Sequence, residues 1–257
     1  MDSFHFFDSG YRILNGDSPF IDYWLVKGPL LDYMQAFFFY IFGVNWQSYV
    51  LHASLINALI TISTFFVLKN FKLKTIYCFL YSLLFSILAY PSSGTPFIDH
   101  HSAFFSLLGI YSLLLAINNQ RKLYWVLTPI FLVLAFLSKQ VPATYVILSV
   151  GFVLLLYSLI NKKFDYIKYF FISLVSFIFL ILVFGKFQGI TLSSFLDQYI
   201  FYPQTIGIER FKNLNLTFQN VLGNFILIHL AIIPLLYENF KKIFSNKNYI
   251  KHNNFYV

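Results

Sequence analysis

Cysteine and charge are both scarce in this chain, and each scarcity closes off a class of protein. The one cysteine among 257 residues, Cys78, lies inside an apolar run, which excludes a disulfide framework and a cysteine-built metal site. Only 11% of the residues are charged, against 58% hydrophobic and 22% aromatic, which excludes an ordinary soluble core. The opening Met-Asp-Ser-Phe-His has no basic n-region and no apolar h-region, so it does not read as a cleavable signal. Insertion is expected to rely on later helices or on one upstream. No internal repeat, soluble domain or low-complexity linker is visible. A net charge of +8 raises nucleic acid as a partner, but the lysines sit in short loops between apolar runs, so none is expected.

What is there is a series of apolar runs at a mean hydropathy of +0.69. The expected fold class is all-α, a polytopic transmembrane helical bundle of about seven spans. The spans read as Tyr49–Leu68, Thr75–Tyr90, His101–Ile117, Leu123–Leu137, Pro142–Ile160, Ile167–Lys186 and Gln219–Tyr237. Several fall short of the ~20 residues a bilayer asks for and must borrow flanking residues or thin the membrane locally. An intramembrane histidine, His52 or His229, is expected to serve packing or a helix–helix hydrogen bond.

Charge sets the orientation. Twelve of the eighteen basic residues lie on alternate connections around Lys69–Lys74, Arg121–Lys122, Lys162–Lys168 and Lys241–Lys251, and these read as cytoplasmic. One integral membrane domain therefore fills residues 1–257. Residues 1–48 form an outer catalytic loop with a juxtamembrane helix, 49–237 the bundle with outer loops 91–100 and 187–218, and 238–257 a basic cytoplasmic tail. Pro29–Phe42 is too short to span at ~1.5 Å per residue. It reads as an amphipathic helix in the outer interface, with Asp32 and Gln35 on one face and Trp24, Tyr40 and Trp46 as anchors. A short tilted span is the alternative.

Chemistry concentrates on the outer face. Four of the ten acids fall in the first 22 residues. Gly10, Gly16, Pro19 and Gly28 are expected to turn this segment back over the helix ends, with Asp8 and Lys27 together. A carboxylate beside a cation suits a transfer in which a hydroxyl loses a proton while a phosphate leaves. Asp99, His100 and His101 open a span. Asp99 reads either as a plain helix cap or as an acid facing Asp8 with the two imidazoles. Adjacent histidines diverge on a helix, so the trio is a weak metal site. Lys139 either snorkels or meets a lipid phosphate. The loop 187–218 is long enough to be a lid or substrate-binding segment, and its Arg210 is a candidate phosphate fork.

The order Asp8-Ser-Gly-Tyr11, Gly16-Asp-Ser-Pro-Phe-Ile-Asp22, Lys27-Gly-Pro-Leu-Leu31 and Phe42-Gly43 resembles the first outer loop of GT-C membrane glycosyltransferases. The likeness is to the ArnT-like and protein O-mannosyltransferase-like branch, and Leu137-Ser-Lys139-Gln140 is similar to a further segment of that group. The resemblance implies an inverting transfer of a sugar from a polyprenyl-phosphate donor to a lipid, glycan or protein acceptor on the periplasmic face of a bacterial inner membrane. It implies Asp8 as base, Asp99 as second catalytic acid and Lys27 as phosphate contact. Tyr11, His100, His101, Lys139 and Arg210 complete the substrate-binding set. No cofactor and no metal are expected, since Asp8 lacks an adjacent acid. Ser9 and Gly28 depart from the family's acid and proline. A first helix and several spans of the family are missing from the sequence, so a truncated member is expected. A lipid-linked sugar flippase and an inactive scaffold stand as alternatives.

Overall fold

The computed structural model describes residues 4–162, 164, 166–212 and 217–245. Eleven α-helices run through them: α1 His5–Leu14, α2 Leu30–Phe42, α3 Trp46–Asn70, α4 Thr75–Leu88, α5 Ile98–Asn119, α6 Lys122–Ser138, α7 Gln140–Asn161, α8 Ile167–Phe187, α9 Leu192–Phe195, α10 Tyr202–Lys212 and α11 Ile226–Ser245. Among the described residues there is no β-strand, only an isolated bridge between Pro19 and Tyr23. The all-α bundle expected from the apolar runs is what forms; six of the expected spans each fall on one helix, α3 to α8, while Gln219–Tyr237 is divided between π-helical Gln219–Gly223 and α11.

Four helices, α3, α5, α7 and α8, are long and apolar enough to cross a membrane. The protein is an integral membrane protein. Helices α4 and α6 have 14 and 17 residues, shorter than a bilayer asks for, and each is packed beside a longer neighbour. Local signals fix the ends. The Asn45 side chain caps α3 by accepting from Ser48 N at 2.9 Å. Gln120 and Lys162 take left-handed backbone where α5 and α7 stop. Lys139, extended at φ −157, separates α6 from α7.

Helix α5 is the centre of the bundle: 44% of its apolar window is buried, against 6% for α8, which turns its faces to lipid. Leu113 and Ala116 of α5 pack with Trp125 and Leu132 of α6, Val150 and Leu154 of α7, and Phe170 of α8. A small residue lets two axes approach, as at Gly109, where an added Cβ would lie 2.9 Å from Leu132 Cδ2. Polar side chains tie helices where water is excluded: Thr64 Oγ1 and Tyr111 Oη lie 3.0 Å apart, and Ser173 Oγ donates to Val126 O at 2.8 Å.

Two expectations are corrected. Residues 5–14 are a helix and not turns, with Gly10 inside it, because its apolar side has α2 to pack against. The segment after α8 is mostly helical: α9 leads through π-helical Leu196–Phe201 into α10. It is held against the segment that connects α1 and α2. Gln198 Nε2 donates to Phe20 O at 2.8 Å and its Oε1 accepts from Leu25 N at 2.9 Å, while Ser18 Oγ donates to Gln188 O at 2.9 Å. Buried Tyr199 packs with Phe20 and Leu25 and donates to Phe136 O.

The joint between the first segment and the bundle is Gly28. Its N–H donates to Ser138 O at 3.2 Å, and a Cβ there would lie 1.7 Å from Leu137 O. Backbone cannot yield to that contact. Gly28→Ala is expected to destabilise the detergent-solubilised protein by at least ~2 kcal/mol in thermal unfolding. Gly151→Ala, where nothing lies within 4 Å of the new Cβ, is expected to leave it unchanged.

Candidate functional site

Helix α1 presents two faces. Phe6, Ser9 and Gly10 are buried, whereas Asp8 and Tyr11 are exposed. The buried face lies so close to α2 that a Cβ on Gly10 would meet Gln35 Cγ at 2.7 Å. Phe6 joins Leu31 and Phe39 of α2, Tyr49 of α3 and Ile98 of α5 in one apolar cluster. Asp8 is therefore carried on the outward side of a helix clamped from beneath.

Asp32 sits at the centre of that clamp with no exposed surface. Ser9 Oγ donates to its Oδ1 at 2.7 Å and Tyr23 Oη to its Oδ2 at 3.0 Å. Burial pushes the carboxyl up to about 7, against the two hydroxyl donors and the positive field of Lys27; the charge of Asp8 adds to the rise. The Tyr23 phenol is likewise pushed up, by burial first and then by Asp32. The Tyr23 ring carries the Arg12 guanidinium at 4.6 Å. Arg12 Nε donates to Asp17 Oδ2 at 2.8 Å, and Nη2 donates to Asp22 O at 3.1 Å. Asp22 in turn accepts from Ser18 N at 2.7 Å. Half-buried Lys27 holds its Nζ 5.3 Å from the Phe6 ring centre.

The ends of α5, α6 and α7 close the site. Lys139 Nζ donates to Asp99 Oδ1 at 2.5 Å, an ion pair in which both side chains remain partly exposed. Gln140 Nε2 donates to Val26 O at 3.2 Å and to Tyr199 O at 2.5 Å. Lys27 and Lys139 thus flank the Gly28–Ser138 joint.

The site residues expected from sequence fall into three groups. Asp8 and Lys27 lie within electrostatic reach of one buried acid, and Asp99 and Lys139 form a pair. Asp99 does not cap α5: it lies in the first turn, the cap position is Phe97, and its carboxylate is engaged by Lys139. Lys139 is accordingly not a free snorkelling lysine. Tyr11 is exposed on α1. His100 is half-buried between the Phe97 and Phe104 rings. His101 turns the other way, into the bundle, where only 1% of it is exposed. It does not face the outer surface with His100. Its Nδ1 donates to Phe97 O at 3.0 Å, and its Nε2 lies 3.1 Å from His52 Nε2. The helix–helix hydrogen bond expected of His52 is this one. Arg210 stands on α10, and its side chain lies outside the described residues.

Sequence reasoning missed Asp32, Tyr23 and Ser9 as a unit. The shared face of Asp32 and Gln35 was a signal, but only the docking of α1 shows that this face is covered. Among the described residues no three His, Cys, Asp or Glu side chains gather as a metal would need.

Beside the site a cavity of about 620 Å³ opens between α2, α6, α8 and the segment that follows α8. Leu134, Leu137, Ile181, Pro29, Tyr33 and Lys186 are among the residues that line it. Its walls are overwhelmingly apolar. Pro29, one of its lining residues, follows the Lys27–Gly28 turn directly in the chain.

No curated protein and no solved structure matches the chain. The family pattern of dolichyl-phosphate-mannose-protein mannosyltransferases matches residues 26–184, a stretch holding Lys27, Asp32, Asp99 and Lys139 and beginning after Asp8. That stretch is more than half of the chain, and the protein belongs to this family, a membrane glycosyltransferase of the GT-C type.

Proposed function

We propose that this protein transfers a sugar, with inversion, from a polyprenyl-phosphate donor to an acceptor hydroxyl on the outer face of a bacterial inner membrane. The observation that carries the reading is the convergence of Asp8 and Lys27 on one buried acid at the head of a long apolar groove. A lipid-linked phosphate has the same two parts, an anionic head and an apolar tail.

In this reading the tail lies in the groove over Leu134, Leu137 and Ile181, and the phosphate meets Lys27. The acceptor oxygen attacks the anomeric carbon while its proton passes to the exposed Asp8 carboxylate. The bond from that carbon to the phosphate oxygen breaks, and its electron pair stays on the phosphate, where the Lys27 ammonium balances the charge. Asp99, held by Lys139, lines the acceptor side with Tyr11 and His100. His101 is assigned no substrate contact, since both of its nitrogens are engaged inside the bundle. The lysine-rich connections at the opposite end of the helices support placing the site outside.

Two outcomes are expected in membranes supplied with a panel of polyprenyl-phosphate sugars. Asp8→Asn lowers transfer by about 10²–10⁴-fold while the protein is inserted in normal amount. Transfer at the wild-type rate would remove Asp8 as base. Ile181→Trp, which fills the groove from α8, raises the donor KM by about tenfold or more, as the loss of ~1.5–3 kcal/mol of apolar burial implies. An unchanged KM for a long-chain donor would take the tail out of the groove.

A further inference from the structure

Asp32 cannot touch a substrate, since none of its surface is exposed, and among the described residues no cation lies within 4 Å of it. Its two partners, Ser9 and Tyr23, are neutral hydroxyls. Among the described residues, a carboxylate so placed is balanced by the longer-range field of Lys27. Yet Lys27 is the cation that the proposed donor engages. An anion arriving at Lys27 removes that balance and adds its own negative field.

We propose, resting on the donor reading above, that Asp32 takes up a proton when an anionic phosphodiester binds at Lys27. Uptake keeps the buried side neutral while the phosphate is held, and departure of the lipid phosphate returns the proton. The two carboxyls then divide the work. Asp8, exposed, is left ionised to receive the acceptor's proton, and Asp32, buried, absorbs the change in site charge. The direction follows from the surroundings: a group whose proton affinity already sits near neutrality is moved further up by a second negative charge.

The groups around Asp32 are few. Helix α1 contributes Asp8 and Arg12, the latter stacked on Tyr23; the connecting segment contributes Tyr23 and Lys27; and His52 of α3 meets Gln35, one turn from Asp32 on α2. Tyr33 neighbours it on α2, and Tyr49 faces it from α3; burial pushes Tyr33 up to about 12, so it stays neutral in the relevant range. From α5 and α6, Asp99 and Lys139 are paired with each other, and the titratable residues of α6, Lys122 and Tyr124, lie at its far end. Asp32 is the fully buried acid here, and among the described residues no ion pair holds its charge.

The test is calorimetric titration of the full chain in detergent with farnesyl-phosphoryl mannose, a phosphodiester whose single charge does not titrate. It is run at pH 8 in buffers of different ionisation enthalpy. Wild type is expected to take up about half a proton or more per ligand, so that binding weakens about threefold or more per pH unit above 8. Asp32→Asn is expected to bind with no such uptake. Should Asp32→Asn fail to fold, infrared difference spectra of wild type and Tyr23→Phe answer the same question. A protonated-carboxyl band is expected to appear on binding, and to shift when the Tyr23 hydroxyl is removed. Binding without uptake, uptake that survives in Asp32→Asn, or a band indifferent to Tyr23→Phe would each overturn the proposal. Absence of binding by folded wild type would instead remove the donor reading, and this inference with it.

Discussion

A carboxyl buried between two helices at one end of the bundle is the constraint on which the site depends. Burying Asp32 costs free energy unless its oxygens are satisfied, and the chain satisfies them with hydroxyls from two different segments. That choice has geometric consequences. Ser9 must lie on the inner face of α1, so Asp8 must lie on the outer one. Tyr23 must reach down from the connecting segment, so its ring becomes the floor on which Arg12 stacks, and Arg12 gathers Asp17 and the Asp22 carbonyl. One buried acid therefore organises a segment that has only a single isolated bridge for β-structure.

The same segment owes its place on the bundle to residues that lack side chains. Gly10 allows α1 onto α2, and Gly28 allows the turn before α2 onto the end of α6. In both cases the close approach brings charged neighbours with it: Asp8 two residues from Gly10, and Lys27 next to Gly28. Lys139 stands on the other side of the second joint, and its pairing with Asp99 fixes the start of α5 to the end of α6. The polar residues of this end are thus not scattered over a lipid-facing surface. They follow from two close approaches at glycine and one ion pair.

How much of this was legible in the sequence depends on range. The spans are written in local runs of Phe, Ile and Leu, and the first six fall on helices within a few residues, whereas the last is broken between a π-helical turn and α11. Asp8 with Lys27 was legible because few charges occur in so apolar a chain, and those few stand close together. Gly10 was misleading. A glycine beside a serine reads as a turn, and only the presence of α2 at contact distance turns it into a packing device. Asp99 stayed open between a cap and a functional acid for a similar reason, since its partner Lys139 is forty residues away. Asp32 was seen on the right face of α2, but what covers that face comes from residues 9 and 23, and no periodicity within α2 records them.

The histidines show how the outer helices are coupled through the interior. The Phe97 carbonyl can only accept, so His101 Nδ1 carries a hydrogen, and in a neutral ring its Nε2 is then a lone pair. His52 must donate across the 3.1 Å gap between the two Nε2 atoms, which leaves its Nδ1 a lone pair facing Gln35. Two arrangements are self-consistent. If both rings are neutral, Gln35 presents its amide NH₂ to His52. If the pair holds one extra proton, Gln35 presents its carbonyl, the atom that lies 2.9 Å away. The other end of the Gln35 amide is buried without a hydrogen-bond partner, so turning it over breaks no bond. Gln35 is one turn from Asp32 on the same buried face. The helix that carries the site's buried acid is thereby joined, bond by bond, to the start of the helix that carries Asp99, and the joint is made of groups that hold together with or without an added proton.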